Sequence, residues 1–183
     1  MTVSRRRLPH LYVVGEPLFI TFRLHNSLPP NREFPAPLPS GKAFVYMDRL
    51  LDQECTGPAY MRLPAVAQVV IAAICKGEAT DYRLHTWVVM PNHVHLLLTP
   101  HIDPSVLLRR LKGASARAAN QLLGLAGQPF WQAESYDRLV RSQAEFERIE
   151  AYIIQNPVRA GLARSAEEYP WCSVFGRTVL GSV

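Results

Sequence analysis

Between Tyr82 and Thr99 the chain runs through two stretches rich in β-branched and aromatic residues, Tyr82–Met90 and His93–Thr99, separated only by Pro91-Asn92. Such a pattern predicts two consecutive β-strands. Side chains on a strand repeat every two residues, so His93 and His95 share one face while Val94, Leu96 and Leu98 take the other. The chain is thereby committed to a sheet that sets two imidazoles side by side.

Two neutral imidazoles on one face can chelate a divalent metal, whereas two protonated ones repel. The ordinary alternative is a pair of hydrogen-bonded core histidines. The pattern is not a zinc finger, because Cys55, Cys75 and Cys172 are scattered and offer no ligand spacing. Nor is it HExxH, which needs a helix.

Downstream, Ser142-Gln-Ala-Glu145 predicts a helix start through a capping box. Phe146, Ile149 and Ile153 follow at helical spacing as its buried stripe. Tyr152 and Asn156 sit four residues apart, about 40° around the axis, at the flank of that stripe. Pro157 is expected to end the helix, leaving Asn156 in its last turn or just past it. Taken singly, Tyr152 reads as a half-buried tyrosine and Asn156 as a helix C-cap. Taken together with the histidines they fit one chemistry. Two imidazoles and a neutral amide oxygen hold a cation without cancelling its charge, leaving positions open for phosphate oxygens. A tyrosine one turn away supplies a nucleophile that would join a DNA phosphate and free a 3′ hydroxyl. With an ordinary pKa of about 10, tyrosine is weak at neutral pH, so the metal must carry much of the work.

Trp87-Val-Val-Met-Pro-Asn-His-Val-His-Leu-Leu-Leu98, Phe130-Trp-Gln-Ala-Glu-Ser-Tyr-Asp137 and Tyr152-Ile-Ile-Gln-Asn-Pro-Val-Arg-Ala-Gly-Leu162 resemble the REP-associated tyrosine transposases. These are an IS200-like branch of the single-tyrosine HUH transposase superfamily. Tyr169-Pro-Trp-Cys-Ser173 resembles the closing motif of that family, with Cys172 where Ser is usual, and Arg6-Arg-Leu-Pro-His10 and Ile20-Thr-Phe-Arg-Leu24 also match. The resemblance implies that His93 and His95 are metal ligands, Asn156 the third ligand and Tyr152 the nucleophile. It also implies Mg²⁺ or Mn²⁺ as cofactor, although imidazole ligands by themselves favour Mn²⁺ or Zn²⁺. More distant members carry Gln at the Asn156 position.

A length of 183 residues with 48% apolar content suits one globular domain, 1–183. It would carry a basic N-terminal arm (1–10), a Pro-rich loop (25–40) and a C-terminal tail (163–183). No signal peptide is evident, and Leu63–Cys75 is too short and interrupted to span a bilayer. Three unpatterned cysteines suggest a reducing cytoplasm, and the resemblance adds a bacterial, nucleoid-associated setting. A net charge of +5 and a pI near 9.4 permit a nucleic-acid partner.

Three basic clusters are candidate DNA contacts. Arg5, Arg6 and Arg7 precede the first strand, where solvated arginines are the equally ordinary reading. On a helix over 104–123, with buried stripe Leu107, Leu111, Ala114, Ala118 and Leu122, residues Arg109, Arg110 and Arg117 share a face with Lys112 nearby. That helix lacks acidic residues, which favours phosphate tracking over a plain solvated face. Arg138 and Arg141 belong to the stretch Phe130–Arg141, which alternates as a strand near the sheet edge. There Trp131 or Tyr136 would either stack on an unpaired base or, more ordinarily, fill core.

The expected order is strand 17–24, the Pro-rich loop, helices over 41–53 and 64–76, strands 82–90 and 93–99, helix 104–123, strand 130–140 and helix 142–155. This is α+β, an antiparallel sheet with helices on one face. The resemblance sharpens it to a ferredoxin-like sandwich, the HUH transposase fold. The expected function is a metal-dependent single-strand DNA endonuclease and strand transferase, a transposase cleaving beside REP-type hairpins through a 5′-phosphotyrosine. Its partner would be hairpin or single-stranded DNA and no membrane, with a monomer favoured over a homodimer. The rival is a hairpin-DNA-binding protein with secondary or lost nuclease activity. A metal hydrolase acting on small molecules fits the basic clusters poorly.

Overall fold

The computed structural model describes residues 14–28, 40–53 and 57–176. Its sheet has four strands, β1 (Leu18–Arg23), β2 (Tyr82–Val89), β3 (His93–Pro100) and β4 (Tyr136–Leu139), in the order β2-β3-β1-β4. Every neighbouring pair is antiparallel. The helices are α1 (Ser40–Asp52), α2 (Pro64–Lys76), α3 (Pro104–Leu123) and α4 (Gln143–Arg159), with 3₁₀ turns at Tyr60–Arg62 and Ala166–Glu168. The expected α+β, ferredoxin-like arrangement is what the strand order shows, with the His pair on a central strand.

Helices cover both faces of the sheet, not one. Leu18, Ile20 and Phe22 of β1 and Val94, Leu96 and Leu98 of β3 pack against α2 and α3. The alternate residues Phe19 and Leu97 pack instead with Phe44 of α1 and Ile153 of α4. Both β1 and β3 lie in the middle of the sheet and are apolar on two sides, so each face needs its own cover. In β2 the register shifts between Leu84 and Thr86, a bulge at His85 that changes which residues face each layer.

Three sequence expectations change in detail. The strand expected over 130–140 shortens to Tyr136–Leu139, because the chain before it turns inward. Trp131 is buried there, its indole N–H donating to Ser115 Oγ at 2.9 Å, so it is core rather than a base-stacking platform. The buried stripe of α3 includes Leu107, Leu108, Leu111, Ser115 and Ala119, while Ala114 and Leu122 face solvent. Ser115 draws that stripe round by returning its own hydroxyl to Leu111 O at 2.7 Å, which satisfies a small polar group inside an apolar contact. Finally, α4 does not stop before Pro157 but runs on to Arg159. Proline removes one bond, to the carbonyl of Ile153. The turn closes regardless, through Ala160 N–H to Asn156 O at 3.0 Å and Leu162 N–H to Pro157 O at 2.8 Å.

The closing motif covers the outer edge of β2. Val89 N–H donates to Trp171 O at 2.8 Å and Ser173 N–H to Trp87 O at 3.0 Å, which blunts an edge that would otherwise offer free pairing groups. The arm at 1–10, residues 29–39 of the Pro-rich loop, Cys55 and the tail beyond 176 lie outside the described residues. Among the described residues no helix is long and apolar enough to cross a membrane.

Candidate active site

His93 and His95 are fully buried, with their Nε2 atoms 3.1 Å apart. Neighbours orient each ring from behind. Asn92 donates its amide N–H to Leu51 O at 2.9 Å, so its Oδ1 is the atom presented to His93 Nδ1 at 2.7 Å. An amide oxygen only accepts, so His93 Nδ1 carries the hydrogen and its Nε2 keeps a lone pair. Thr21, the cross-strand partner of His95, holds His95 Nδ1 at 2.7 Å. Both Nε2 atoms converge on the layer between the sheet and α1 and α4.

Into that layer α1 projects Asp48, a residue the sequence analysis did not single out. Asp48 Oδ1 lies 3.0 Å from His95 Nε2 and 3.5 Å from His93 Nε2, and Asp48 is 2% exposed. The available ligand atoms of Asp48, His93 and His95 all fall within 4.8 Å of one another. A signal for it existed. Phe44, Asp48 and Leu51 are spaced four and three apart, so the acid stands on an otherwise apolar helix stripe. Burial alone would raise the Asp48 carboxyl, but the imidazoles of His95 and His93 and the hydroxyl of Tyr152 hold it well below the carboxylate range. Burial and the neighbouring His95 push the His93 imidazole down to about 3, against the opposing pull of Asp48. The centre thus favours an ionised carboxylate beside a neutral His93, the state in which both bind a cation.

The opposite wall is α4. Tyr152 donates its hydroxyl to Asp48 Oδ2, and Asn156 donates its amide to the same oxygen at 3.3 Å. Burial first, then the Asp48 carboxylate, raises the Tyr152 phenol well above its ordinary value, while Arg159 pulls the other way. Two buried oxygens, Asp48 Oδ1 and Asn156 Oδ1, lack a hydrogen-bond partner among the described residues. Unsatisfied buried acceptors are costly. Next to two imidazole nitrogens, they are what a divalent cation would relieve, so the residues fit a divalent metal ion.

The four expected catalytic and metal residues therefore meet in one place, and the basic clusters do not all join them. Arg109, Arg110, Lys112 and Arg117 ride on α3, across the sheet from the histidines. Arg110 pairs with Asp81 at 3.3 Å. Lys112 Nζ donates to Gln132 O at 2.6 Å, Ala133 O at 3.0 Å and Ser135 Oγ at 3.1 Å, pinning the segment ahead of β4. Arg138 pairs with Glu145 at 2.5 Å, and Arg141 is exposed beside the start of α4. Arg5, Arg6 and Arg7 fall outside the described residues. A cavity of about 240 Å³ opens between α1, α4 and β4, walled by Phe19, Phe44, Tyr136 and Ile149 and ending on Tyr152, with Arg138 and Arg148 in its lining.

Compared with known proteins, residues 65–156 match the family described as "Transposase IS200 like", about half of the chain. That span holds His93, His95, Tyr152 and Asn156 but neither Asp48 nor Arg159. A REP-associated tyrosine transposase of Escherichia coli (strain K12) is 29% identical over 101 residues, 54% of this chain and 57% of that protein. The chain thus aligns with little more than half the length of this relative. The solved structure of a REP-associated tyrosine transposase bound to a REP hairpin superposes with a TM-score of 0.56 at 20% identity, covering 94% of this chain and 84% of that one. At that identity the likeness is one of fold.

Proposed function

For a chain that belongs to the IS200-like transposase family, we propose the activity of a single-strand DNA endonuclease and strand transferase acting beside REP-type hairpins. One observation carries the reading. The Tyr152 hydroxyl is hydrogen-bonded to the carboxylate that also faces both histidines, so nucleophile and metal-binding groups form one cluster. His93, His95 and Asp48 would hold the cation, with Asn156 Oδ1 the further oxygen within that wall. A bound divalent cation supplies Lewis acidity at the phosphate and offsets the charge of Asp48. Two imidazoles and a carboxylate accept Mn²⁺ more readily than Mg²⁺; both are proposed cofactors.

The rest falls to the protein. Thr21 and Asn92 fix the imidazoles, and Asp48 fixes the phenol. As the Tyr152 oxygen bonds to phosphorus, its proton is lost to solvent from the Asp48 Oδ2 hydrogen bond, the P–O3′ bond breaks and the 3′ oxygen takes up a proton. The 5′-phosphotyrosine that remains conserves the phosphodiester energy, so rejoining needs no ATP. Unpaired DNA reaches such a site without the cost of melting a duplex, and the cavity beside Tyr152 leaves Tyr136 where a base would lie. Arg138 lines this cavity, whereas Arg5, Arg6, Arg7, Arg109, Arg110, Lys112, Arg117 and Arg141 would act as more distant phosphate contacts. The reading extends to one domain over 1–183, a monomer, in the bacterial cytoplasm at the nucleoid.

The alternative, a hairpin-binding protein with secondary or lost nuclease activity, draws on the phenol being held protonated by its burial and by Asp48. Labelled hairpin oligonucleotides from repeats flanking the gene, run on denaturing gels with and without Mn²⁺, decide between the two. The expected result is a metal-dependent covalent band that Tyr152→Phe abolishes while hairpin affinity stays within about threefold. Tight binding with no covalent band under any metal establishes the alternative. Cleavage that persists in Tyr152→Phe assigns the attack to water.

A further inference from the structure

The last turn of α4, which survives Pro157, carries Arg159 seven residues after Tyr152. Seven residues return a helix to within about 20° of the same face, so both side chains rise over the metal-binding cluster. The guanidinium carbon of Arg159 stands 4.0 Å from the centroid of the Tyr152 ring, and its Nη2 is 3.8 Å from Asp48 Oδ2. That separation is an ion pair without a hydrogen bond. The Arg159 side chain is 43% exposed while that of Asp48 is 2% exposed, so the cation forms the solvent side of the cluster. Arg138, by contrast, is engaged by Glu145, and the α3 arginines lie across the sheet.

We propose that Arg159 is a catalytic residue that holds a non-bridging oxygen of the scissile phosphate against the Tyr152 hydroxyl. A guanidinium lying over the nucleophile's ring keeps its N–H edge for an anion, and its planar fork matches two phosphate oxygens. Charge that develops on those oxygens during attack meets a cation already in place. The proposal rests on the reading of the site given above, and its test separates the two.

The probe is a gene-flanking hairpin with an unpaired extension in which each phosphate is replaced, one at a time, by a neutral methylphosphonate. Affinities are measured in the Tyr152→Phe background, where no cleavage is needed, with and without Arg159→Gln. If Arg159 holds one phosphate, one methylphosphonate position weakens binding of the parent about tenfold and has no further effect in Arg159→Gln. The two losses are then non-additive in a double-mutant cycle. Additive losses at every position overturn the proposal. In the protein with Tyr152 intact, Arg159→Gln is expected to slow single-turnover adduct formation by roughly 10²–10³-fold, at unchanged melting temperature. Arg159→Lys should recover only a small part, since a point charge cannot fork. A Gln variant within threefold of the parent rate, or full rescue by Lys, also overturns it. A parent that binds hairpin yet forms no adduct removes the nuclease reading alone, and the affinity cycle still decides whether Arg159 holds a phosphate.

Discussion

The two faces of strand β3 are buried to the same degree and built for opposite purposes. Val94, Leu96 and Leu98 point into a hydrocarbon layer with α2 and α3. His93 and His95, equally inaccessible, point into a layer with Asp48, Tyr152 and Asn156. The first face gains from every methylene removed from water. The second desolvates two imidazoles, a carboxylate and an amide, and leaves two of their oxygens without hydrogen bonds, which is a cost in the metal-free chain. Burial by itself thus says little about role; the pairing of what is buried separates scaffold from site.

Substitutions on either face test that division. Asp48→Ala should lower Mn²⁺-dependent adduct formation by at least about 10³-fold in single-turnover gels and abolish the melting-temperature rise that saturating Mn²⁺ gives the parent. A rise that persists in Asp48→Ala would break the comparison at its polar side. Leu96→Ala, on the other face, should cost about 2–5 kcal/mol in urea unfolding while the folded fraction still gains stability from Mn²⁺. Acid discriminates next. With His93 held to about 3 in the folded chain against an ordinary 6.5, the unfolded chain takes up a proton between those values that the folded one does not. Metal-free stability should therefore be full above about pH 6.5 and fall by a few kcal/mol as pH drops towards 3. Asp48, also held low, adds to the loss at the acid end. A melting temperature flat over that range would show His93 to be free to protonate. The smallest effect belongs to the outer surface of α3. Arg109→Gln with Arg117→Gln should flatten the salt dependence of hairpin binding by about one unit per phosphate contact and leave the adduct rate within threefold.

Much of this was legible because it is local. The 82–99 segment, the shared face of His93 and His95, the α4 start at Ser142 and the strand-helix order all follow from residues within a few positions of each other. Ser142 does cap α4, accepting the Glu145 N–H at 3.2 Å. Local rules misled where a distant contact outweighed them. Ser115 faces inward because the Trp131 indole meets it. The helix survives Pro157 because only one backbone bond was at stake so near its end. Asp48 escaped notice because an acid on an apolar stripe reads as a flaw until the histidines opposite it are seen.

By itself, then, the sequence determined that two imidazoles share a strand face and that a phenol and an amide share a helix flank, since two- and 3.6-residue periods are properties of the backbone alone. Only the tertiary structure decided that α1 crosses that same face. It thereby set Asp48 between the histidines and Tyr152, and kept the α3 arginines on the far side. The sheet buries both of its faces, and which helix covers which face depends on long-range packing that no short stretch of residues encodes.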